Sequence, residues 1–267
     1  MTDIGSLEDL FAEPGEQRPR RRRRAWLIGL GVTLGLLVLI GIAAVLVDNG
    51  LRGAAEAAAA TQIEKRLPAG VTGDVDVHIG GGSFILQYLG GSFDDVRVDA
   101  PDLRIGGDRV PVHLVAHGVS SDLSAPVKHV TARVALGQDA LNHLVQVPIA
   151  TGGITLGHGT FALSGSKSVA GLTLSFSLSA IPKADGDHLL LAPTAAKVTT
   201  GPAGLDFSSV IRDLMASGPI PVCLATQLPK GVELSHIQVT PEAATLTFTA
   251  HDLPLTGSAL SSRGTCS

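Results

Sequence analysis

AWLIGLGVTLGLLVLIGIAAVLV, residues Ala25 to Val47, is the apolar stretch on which the interpretation of the whole chain depends. It contains no charged residue, and only Thr33 carries a side-chain hydroxyl. At a rise of about 1.5 Å per residue this stretch forms roughly 35 Å of helix, enough to cross a hydrocarbon core of about 30 Å. A water-soluble helix of this length normally has a polar face. The stretch therefore predicts a transmembrane helix.

The charges on either side of this stretch predict its orientation. The arginine run Arg20 to Arg24 precedes it, whereas Asp48 and Glu56 follow it. Because basic residues remain on the cytoplasmic side, we expect a single-pass cell-membrane protein with a cytosolic N-terminus and an extracytoplasmic main domain. The apolar run exceeds the 7–15 residues of a typical cleaved signal peptide, so we expect an uncleaved anchor. Cleavage within Ala54 to Ala60 is the alternative.

Composition divides the chain into four expected parts. Residues 1–24 are a disordered cytosolic tail, 25–47 the anchor, 48–67 an alanine-rich juxtamembrane or first domain helix, and 68–267 a β-rich domain. From Asp48 onward there are 14 Lys and Arg against 19 Asp and Glu, a net charge of 14 − 19 = −5. This charge argues against nucleic acid as a partner, and any affinity for lipid must come from apolar surface.

Beyond the alanine-rich helix the apolar residues alternate with a period of two. Asp74–Ile79 and Asp95–Ala100 are half-buried strands, and Gly80–Gly91 between them holds a short helix or apolar loop. Two amphipathic helices are expected at Gln138–Val145 and Phe207–Ala216. The other predicted strands are Arg109–Val119, Val127–Leu136, Ile154–Leu163, Val169–Ala180, His188–Thr199, Val232–Val239 and Ala244–His251. The pattern predicts an antiparallel α+β fold, and a long curved sheet wrapped around one or more helices would accommodate this order of elements.

The search for catalytic motifs finds no G-x-S-x-G, H-E-x-x-H or Walker A sequence. Gly165–Ser168 lacks the spacing of a phosphate loop and is interpreted as a turn. The acidic pair Asp94 and Asp95 is interpreted as turn and solvent-facing residues rather than as a general acid and base. We therefore expect a protein that is not an enzyme and has no cofactor.

Histidines are the candidate metal ligands. His113 and His117 share one face of a predicted strand, but they are about 13 Å apart along it, too far for one ion. The other seven are isolated in the sequence: His78, His129, His143, His158, His188, His236 and His251. No metal site is expected.

The two cysteines, Cys223 and Cys266, both follow the predicted membrane helix, where an oxidising compartment permits disulfides. We expect a disulfide between them. Two free thiols or an intermolecular bridge are the alternatives.

Several long segments resemble the actinobacterial LmeA-like phospholipid-binding family. The resemblance rests on the anchor and alanine-rich helix, on DVDVHIGGGSFILQYLGGSFDDVRVDAPDLRI (74–105), on HLVAHGV (113–119), on IPVCLATQLPKGVELSHIQVT (220–240) and on the final GTC (264–266). It implies a tubular lipid-binding-like domain with an apolar tunnel. It also implies phospholipid binding in the cell envelope, in support of lipid transport or glycolipid maturation.

The first functional hypothesis is thus a membrane-anchored phospholipid-binding protein. We expect one set of apolar residues near the tunnel mouth and a second set lining it. The mouth set is Phe84, Ile85, Leu86, Leu89 and Phe93, and the lining set is Leu174, Phe176, Leu178, Leu246 and Phe248. The alternative is an envelope scaffold or accessory subunit that binds another protein and has a solid core. A lipid or glycan hydrolase is disfavoured because the sequence offers no nucleophile motif.

Overall fold

The computed structural model describes residues 20–144, 151–169, 172–200, 212, 216, 218–255 and 257–266. The chain separates into two compact units, the first ending at Val47 and the second beginning at Asp48.

In the first unit the chain is helical, as the apolar stretch predicts. This helix, α1, runs Arg20–Lys65 and continues into the second unit. It begins five residues before the expected span, so Arg20 to Arg24 are helical rather than part of the tail. The tail residues 1–19 lie outside the described part. From Leu34 to Val47 the large apolar side chains are more than half exposed. By length and composition the helix could cross a membrane, a criterion that an N-terminal signal sequence also meets.

The second unit is dominated by antiparallel β-structure, which confirms the α+β class. Its described strands are β1 (Val71–Thr72), β2 (Asp76–Ile79), β3 (Ser92–Ala100), β4 (Arg104–Ile105), β5 (Asp108–Arg109), β6 (Val112–Ser120), β7 (Val127–Gly137), β8 (Ile154–Leu156), β9 (Phe161–Val169), β10 (Leu172–Asp185), β11 (His188–Thr200), β12 (Ile220–Cys223), β13 (Val232–Val239) and β14 (Ala243–Leu253). Its described short helices are α2 (Phe84–Leu89), α3 (Gln138–Leu144) and α4 (Gly257–Ser261).

These strands form three sheets. The largest has the order β13-β14-β7-β6-β3-β2, the second β12-β11-β10-β9-β8, and a small one β1-β4-β5. The two large sheets meet where the turn after β10 reaches β13, since the Leu234 amide donates to the Gly186 carbonyl over 2.9 Å. The strands of the largest sheet alternate apolar and polar residues, which gives the sheet one apolar face and one polar face.

The end of α1 seals the edge of the largest sheet. The carboxylate of Glu64 accepts a hydrogen bond from the Val75 amide at 3.0 Å, and that of Glu56 accepts one from the Ile79 amide at 2.7 Å. Eight helical residues and four strand residues both span about 12–13 Å, so the two carboxylates match alternate outward-facing amides of the edge. An edge strand with unpaired amides would otherwise invite pairing with another chain. The segment after Val47 is therefore part of the domain.

The second sheet corrects three sequence predictions. The expected strand Ile154–Leu163 is two strands, because Gly157 to Thr160 form a turn closed by the Gly157 amide on the Thr160 carbonyl at 2.9 Å. Gly165–Ser168 is not a turn but part of β9, where Gly165 pairs with Phe176 of β10. Consequently Val169 ends β9 instead of starting the next strand.

One further predicted strand is interrupted in the structure, and one predicted helix lies mostly outside the described residues. The predicted strand Arg109–Val119 is interrupted at Val110 and Pro111, because proline has no amide to donate to a ladder. The predicted helix Phe207–Ala216 lies outside the described residues except for Arg212 and Ala216, which are helical. The remaining predicted strands and the helix after β7 occur within a few residues of their expected bounds.

The disulfide between Cys223 and Cys266 is present and confirms the expected pairing. Cys223 ends β12 on the edge of the second sheet. The bond therefore fastens the C-terminal segment to that edge.

Candidate functional site

The short helix α2 is held by a carboxylate at the start of the second unit. Ser83 caps α2, and its side chain accepts from the Leu86 amide over 3.3 Å. Asp48 accepts three hydrogen bonds, from the Ser83 hydroxyl at 2.7 Å and from the amides of Phe84 and Ile85 at 3.0 and 2.9 Å. These amides have no acceptor within the helix, so the carboxylate satisfies them.

The same bonds set the ionisation of Asp48. The amide of Ile85, then the Ser83 hydroxyl and the Phe84 amide, lower the pKa of Asp48 below its ordinary value. Arg52, whose guanidinium lies 3.5 Å from the Asp48 carboxylate, acts in the same direction and also donates to the Gly82 carbonyl. Asp48 is thus a buried, charged support for α2, only 8% exposed.

A glutamine within α2 fixes the helix to the strands before and after it. The Gln87 side chain donates to the carbonyl of Gly80 at 3.1 Å and accepts from the amide of Asp94 at 2.8 Å. Gly81 adopts φ +87° beside that amide group, and a Cβ there would lie 3.1 Å from it. Of the glycines that bracket this segment, Gly81 therefore allows the close fit of the Gln87 side chain.

One face of α2 packs inward. The ring of Phe84 is 9% exposed and stacks on Phe93 with a centroid distance of 5.5 Å. Phe93 in turn packs against the buried cluster Ala116, Val119, Val127, Val130, Ala250 and Leu253. Of the five expected mouth residues, Phe84 and Phe93 therefore pack inward, between α2 and the sheet.

The other face of α2 is apolar and open. Leu86, Tyr88 and Leu89 are 70%, 57% and 75% exposed. Ile85 is partly buried. Three large exposed side chains are many for a helix of six residues. The helix is nevertheless held in place by the hydrogen bonds of Asp48 and Gln87.

The apolar face of the largest sheet carries a partly buried strip between two buried rows. On β14, Ala244 and Ala250 are 0% and 2% exposed, while Leu246 and Phe248 between them keep part of their surface accessible. The strand pairing places further apolar residues of the neighbouring strands in line with Leu246 and with Phe248. We call these residues the apolar strip: Val77, Val98, Val112, Leu114, Ala132, Val134, Ile237, Leu246 and Phe248.

The dimensions of the apolar strip follow from the sheet. Leu246 and Phe248 are about 7 Å apart along β14, whereas Phe248 on β14 and Val77 on β2 are about 19 Å apart across four strand spacings. At the β14 side the row ends on Leu234, which is 1% exposed. At the other side Val77 and Val98 pack on the buried cluster Val75, Ala100 and Leu103, against which Ile63 and Leu67 of α1 also pack. The strip is an elongated apolar surface with closed ends.

The expected lining residues fall on both large sheets. Phe176 and Leu178 on β10 are partly buried, as Leu246 and Phe248 are on β14, and Leu174 occupies the equivalent position nearer the start of β10. The sheets share a buried cluster formed by Leu141, Ile154, Leu156, Phe161, Val239 and Ala244. Leu178 pairs with Leu163, and Leu246 pairs with Ile237, both of which pack on that cluster.

The opposite face of the largest sheet is polar and brings histidines together. His117, His129 and His251 lie side by side on three adjacent strands, with 3.4 Å between the Nδ1 atoms of His129 and His251. The expectation that His129 and His251 are isolated is therefore wrong, because pairing of β7 and β14 joins positions far apart in the sequence. His113 instead pairs with Asp99. Among the described residues no group of three or more His, Cys, Asp or Glu is arranged to hold a metal ion.

Asp95 of the acidic pair lies on this polar face, opposite His117. Asp94 and Asp95 belong to β3, and Asp95 pairs with Arg97 at 2.6 Å. An open depression of about 380 Å³ also lies here, and no residue of the apolar strip other than Val112 lines it. The polar face is thus separate from the strip.

Comparison with known proteins identifies the family. The sequence model for LmeA-like phospholipid-binding proteins matches residues 46–249. This chain belongs to the LmeA-like phospholipid-binding family. The match begins two residues before Asp48 and covers α2, the apolar strip and both large sheets as far as Thr249. No match is found among curated proteins or among solved structures.

Family membership supports a role in lipid binding for the matched region. Most of the apolar segment 25–47 lies outside that region, so the family alone does not account for it. The sequence did not predict that Asp48 and Gln87 hold α2 in place, because their hydrogen-bond partners lie in other segments of the chain.

Proposed function

We propose that this protein binds a phospholipid along the apolar strip while residues 25–47 anchor it in the cell membrane. The N-terminus is cytosolic and the second unit is extracytoplasmic. The bound lipid serves transport or maturation of envelope glycolipids, over the short distance that an anchored protein can cover. The observation that carries the proposal is the partial burial of a continuous apolar strip within the region matched by the phospholipid-binding family.

The strip supports an acyl-chain site because its side chains are apolar yet retain accessible surface. In a solid core such residues would be buried like Ala244 and Leu234. A lipid chain needs an apolar lining and no directional bonds, so the absence of a polar motif in the strip fits this ligand. Phe176 and Leu178 on the second sheet extend the same kind of surface.

The anchor is supported by the way the chain continues from it. Asp48, Arg52 and Glu56 follow the apolar segment directly, and their side chains hold α2 and the edge of β2. Cleavage within Ala54 to Ala60 would remove Asp48 and Arg52 and expose these sites. We therefore favour a protein that keeps the segment.

A matched pair of substitutions on β14 tests the lipid site. Phe248→Asp places a carboxylate in the strip, whereas Thr247→Asp places one on the polar face of the same strand. Burying a charge against an acyl chain is costly, so we expect uptake of pyrene-labelled phosphatidylglycerol from vesicles to fall at least about tenfold for Phe248→Asp. We expect Thr247→Asp to behave like the wild type.

Folding of each variant is checked by its thermal unfolding. Uptake that is equal in a folded Phe248→Asp variant and in the wild type would remove the strip from the lipid site. A different result would favour the envelope scaffold: the wild type takes up no lipid, and another envelope protein co-purifies with it.

A further inference from the structure

The exposed face of α2 is an apolar surface without a described partner in the chain. Leu86 and Leu89 are 70% and 75% exposed, and Tyr88 between them is 57% exposed. Leu51, one turn beyond Asp48 on α1, is a further exposed apolar side chain at 49%. Since α2 is fixed by Asp48 and Gln87, this exposure is a property of a rigid element rather than of a loose loop.

Chain continuity places this face near the end of the apolar segment. Asp48 is covalently the first residue after Val47, and its carboxylate lies 2.9 Å from the Ile85 amide. The start of α2 is therefore within one side-chain length of the residue that follows the proposed membrane span. A hydrocarbon core that ends near Val47 is followed by an interfacial layer several ångströms thick.

We propose that the exposed face of α2 inserts into the interfacial layer of the bilayer that holds the anchor. This inference rests on the anchoring part of the proposed function and adds a second membrane contact to it. Leu86 and Leu89 reach toward the acyl chains. Tyr88 suits the interface, where its ring meets apolar surface and its hydroxyl meets headgroups.

The chemistry of the face favours a bilayer over a protein partner. Three side chains on six helical residues form a patch far smaller than the roughly 800 Å² that each partner contributes to a stable protein interface. A lipid surface adapts to such a patch and needs no complementary shape. Contact at α2 also brings the base of the helix, Phe84 and Phe93, toward the membrane, and Phe93 packs beside Ala250 at the boundary of the apolar strip.

The test uses the full chain in vesicles of phosphatidylcholine and phosphatidylglycerol. The native cysteines form the disulfide, so a new cysteine can be labelled selectively with an environment-sensitive fluorophore. Leu86→Cys reports on α2, with Leu89→Cys as a second reporter if the first does not fold. Glu242→Cys, in the exposed turn before β14, is the matched control at the end of that strand remote from Ala250.

We expect nitroxides on lipid headgroups and upper acyl chains to remove most of the emission at position 86 and to leave position 242 unchanged. Unquenched emission at positions 86 and 89, in protein that floats with the vesicles, would overturn the inference and leave the anchor intact. Self-quenching between labelled copies in place of lipid quenching would assign the face to a second copy and also overturn it. Protein that does not float would overturn the anchor and the inference together.

Discussion

At the scale of single residues, Asp48 links the residues that follow Val47 to α2. Its carboxylate is 8% exposed and accepts from Ser83, Phe84 and Ile85. Because these bonds favour the ionised form, the pKa of Asp48 is lowered, with the Ile85 amide as the largest cause. One side chain thus supports the position of α2.

Replacing Asp48 by asparagine should loosen α2. The amide group keeps the shape of the side chain but loses the negative charge that the helix amides favour. We expect faster hydrogen exchange at the amides of Phe84 and Ile85 and a lower melting temperature. Asp74→Asn, at an exposed aspartate, is the control and should leave both unchanged.

The same variant predicts a pH dependence. A lowered pKa means that the carboxylate stabilises the fold fully above its ordinary value of 3.8 and that this contribution is lost as the pH falls through the lower folded-state value. The difference in stability between wild type and Asp48→Asn should therefore be constant near neutral pH and shrink below pH 3.8. A difference that grows on acidification would contradict the assignment.

The role of Asp48 could not be predicted from the sequence. The sequence identified it only as a charge beside the anchor, since its partners lie 35 to 37 positions away. The same limit applies to the histidines, which pairing of distant strands brings together. Local pattern indicates which residues share a face, but not which faces meet.

At the scale of elements, the end of α1 protects the edge of the largest sheet. Glu56 and Glu64 match the outward amides of Ile79 and Val75. The sequence identified the helix and the first strand but left open whether the helix was a solvated stalk. The contacts of both glutamates assign it to the domain.

Removing one of these carboxylates should open the edge locally. For Glu56→Ala we expect loss of protection of the Ile79 amide and a loss of about 1–3 kcal/mol in the free energy of unfolding, typical of a hydrogen bond to a charged group. Gln62→Ala, at an exposed position of the same helix, should change neither quantity. Hydrogen exchange measures the first quantity and chemical denaturation the second. Unchanged protection of Ile79 would show that Glu56 does not seal this edge.

A bulky substitution in the apolar strip distinguishes open surface from solid core. Leu246→Trp adds volume between Ala244 and Phe248 on β14. In a filled core, overpacking costs about 1–3 kcal/mol, whereas in open space the indole replaces lipid. We expect stability near that of the wild type and reduced phospholipid uptake. Strong destabilisation with unchanged uptake would contradict an open strip.

The strands themselves were the most predictable elements. Alternation of apolar and polar residues was strong enough to locate most of them within a few residues. It failed at Gly157–Thr160, where a tight turn sits inside a continuous pattern, and at Gly165, where a glycine opposite Phe176 is part of a strand. In both cases, whether the glycine lies in a turn or in a strand depends on cross-strand partners that the sequence does not specify.

At the scale of the whole molecule, one chain combines a helix suited to a membrane with a domain whose apolar surface remains partly accessible. The apolar helix was predictable because its length and composition identify a segment that could cross a membrane, a criterion that a signal sequence also meets. The expected lining residues were predictable as alternating apolar positions, whereas the partial burial of Phe176, Leu178, Leu246 and Phe248 depends on how the sheets pack. Family membership supports a role in lipid binding for residues 46–249, which include that surface.

The most direct test is native mass spectrometry of the full-length protein released from detergent, with lipid extraction and identification on the same sample. The account predicts a mass increase equal to one phospholipid that persists after the detergent is removed. The increase should be absent or much reduced in Leu246→Trp. A wild-type protein that shows only its own mass, and that acquires no lipid from vesicles, would contradict phospholipid binding as the function of this domain.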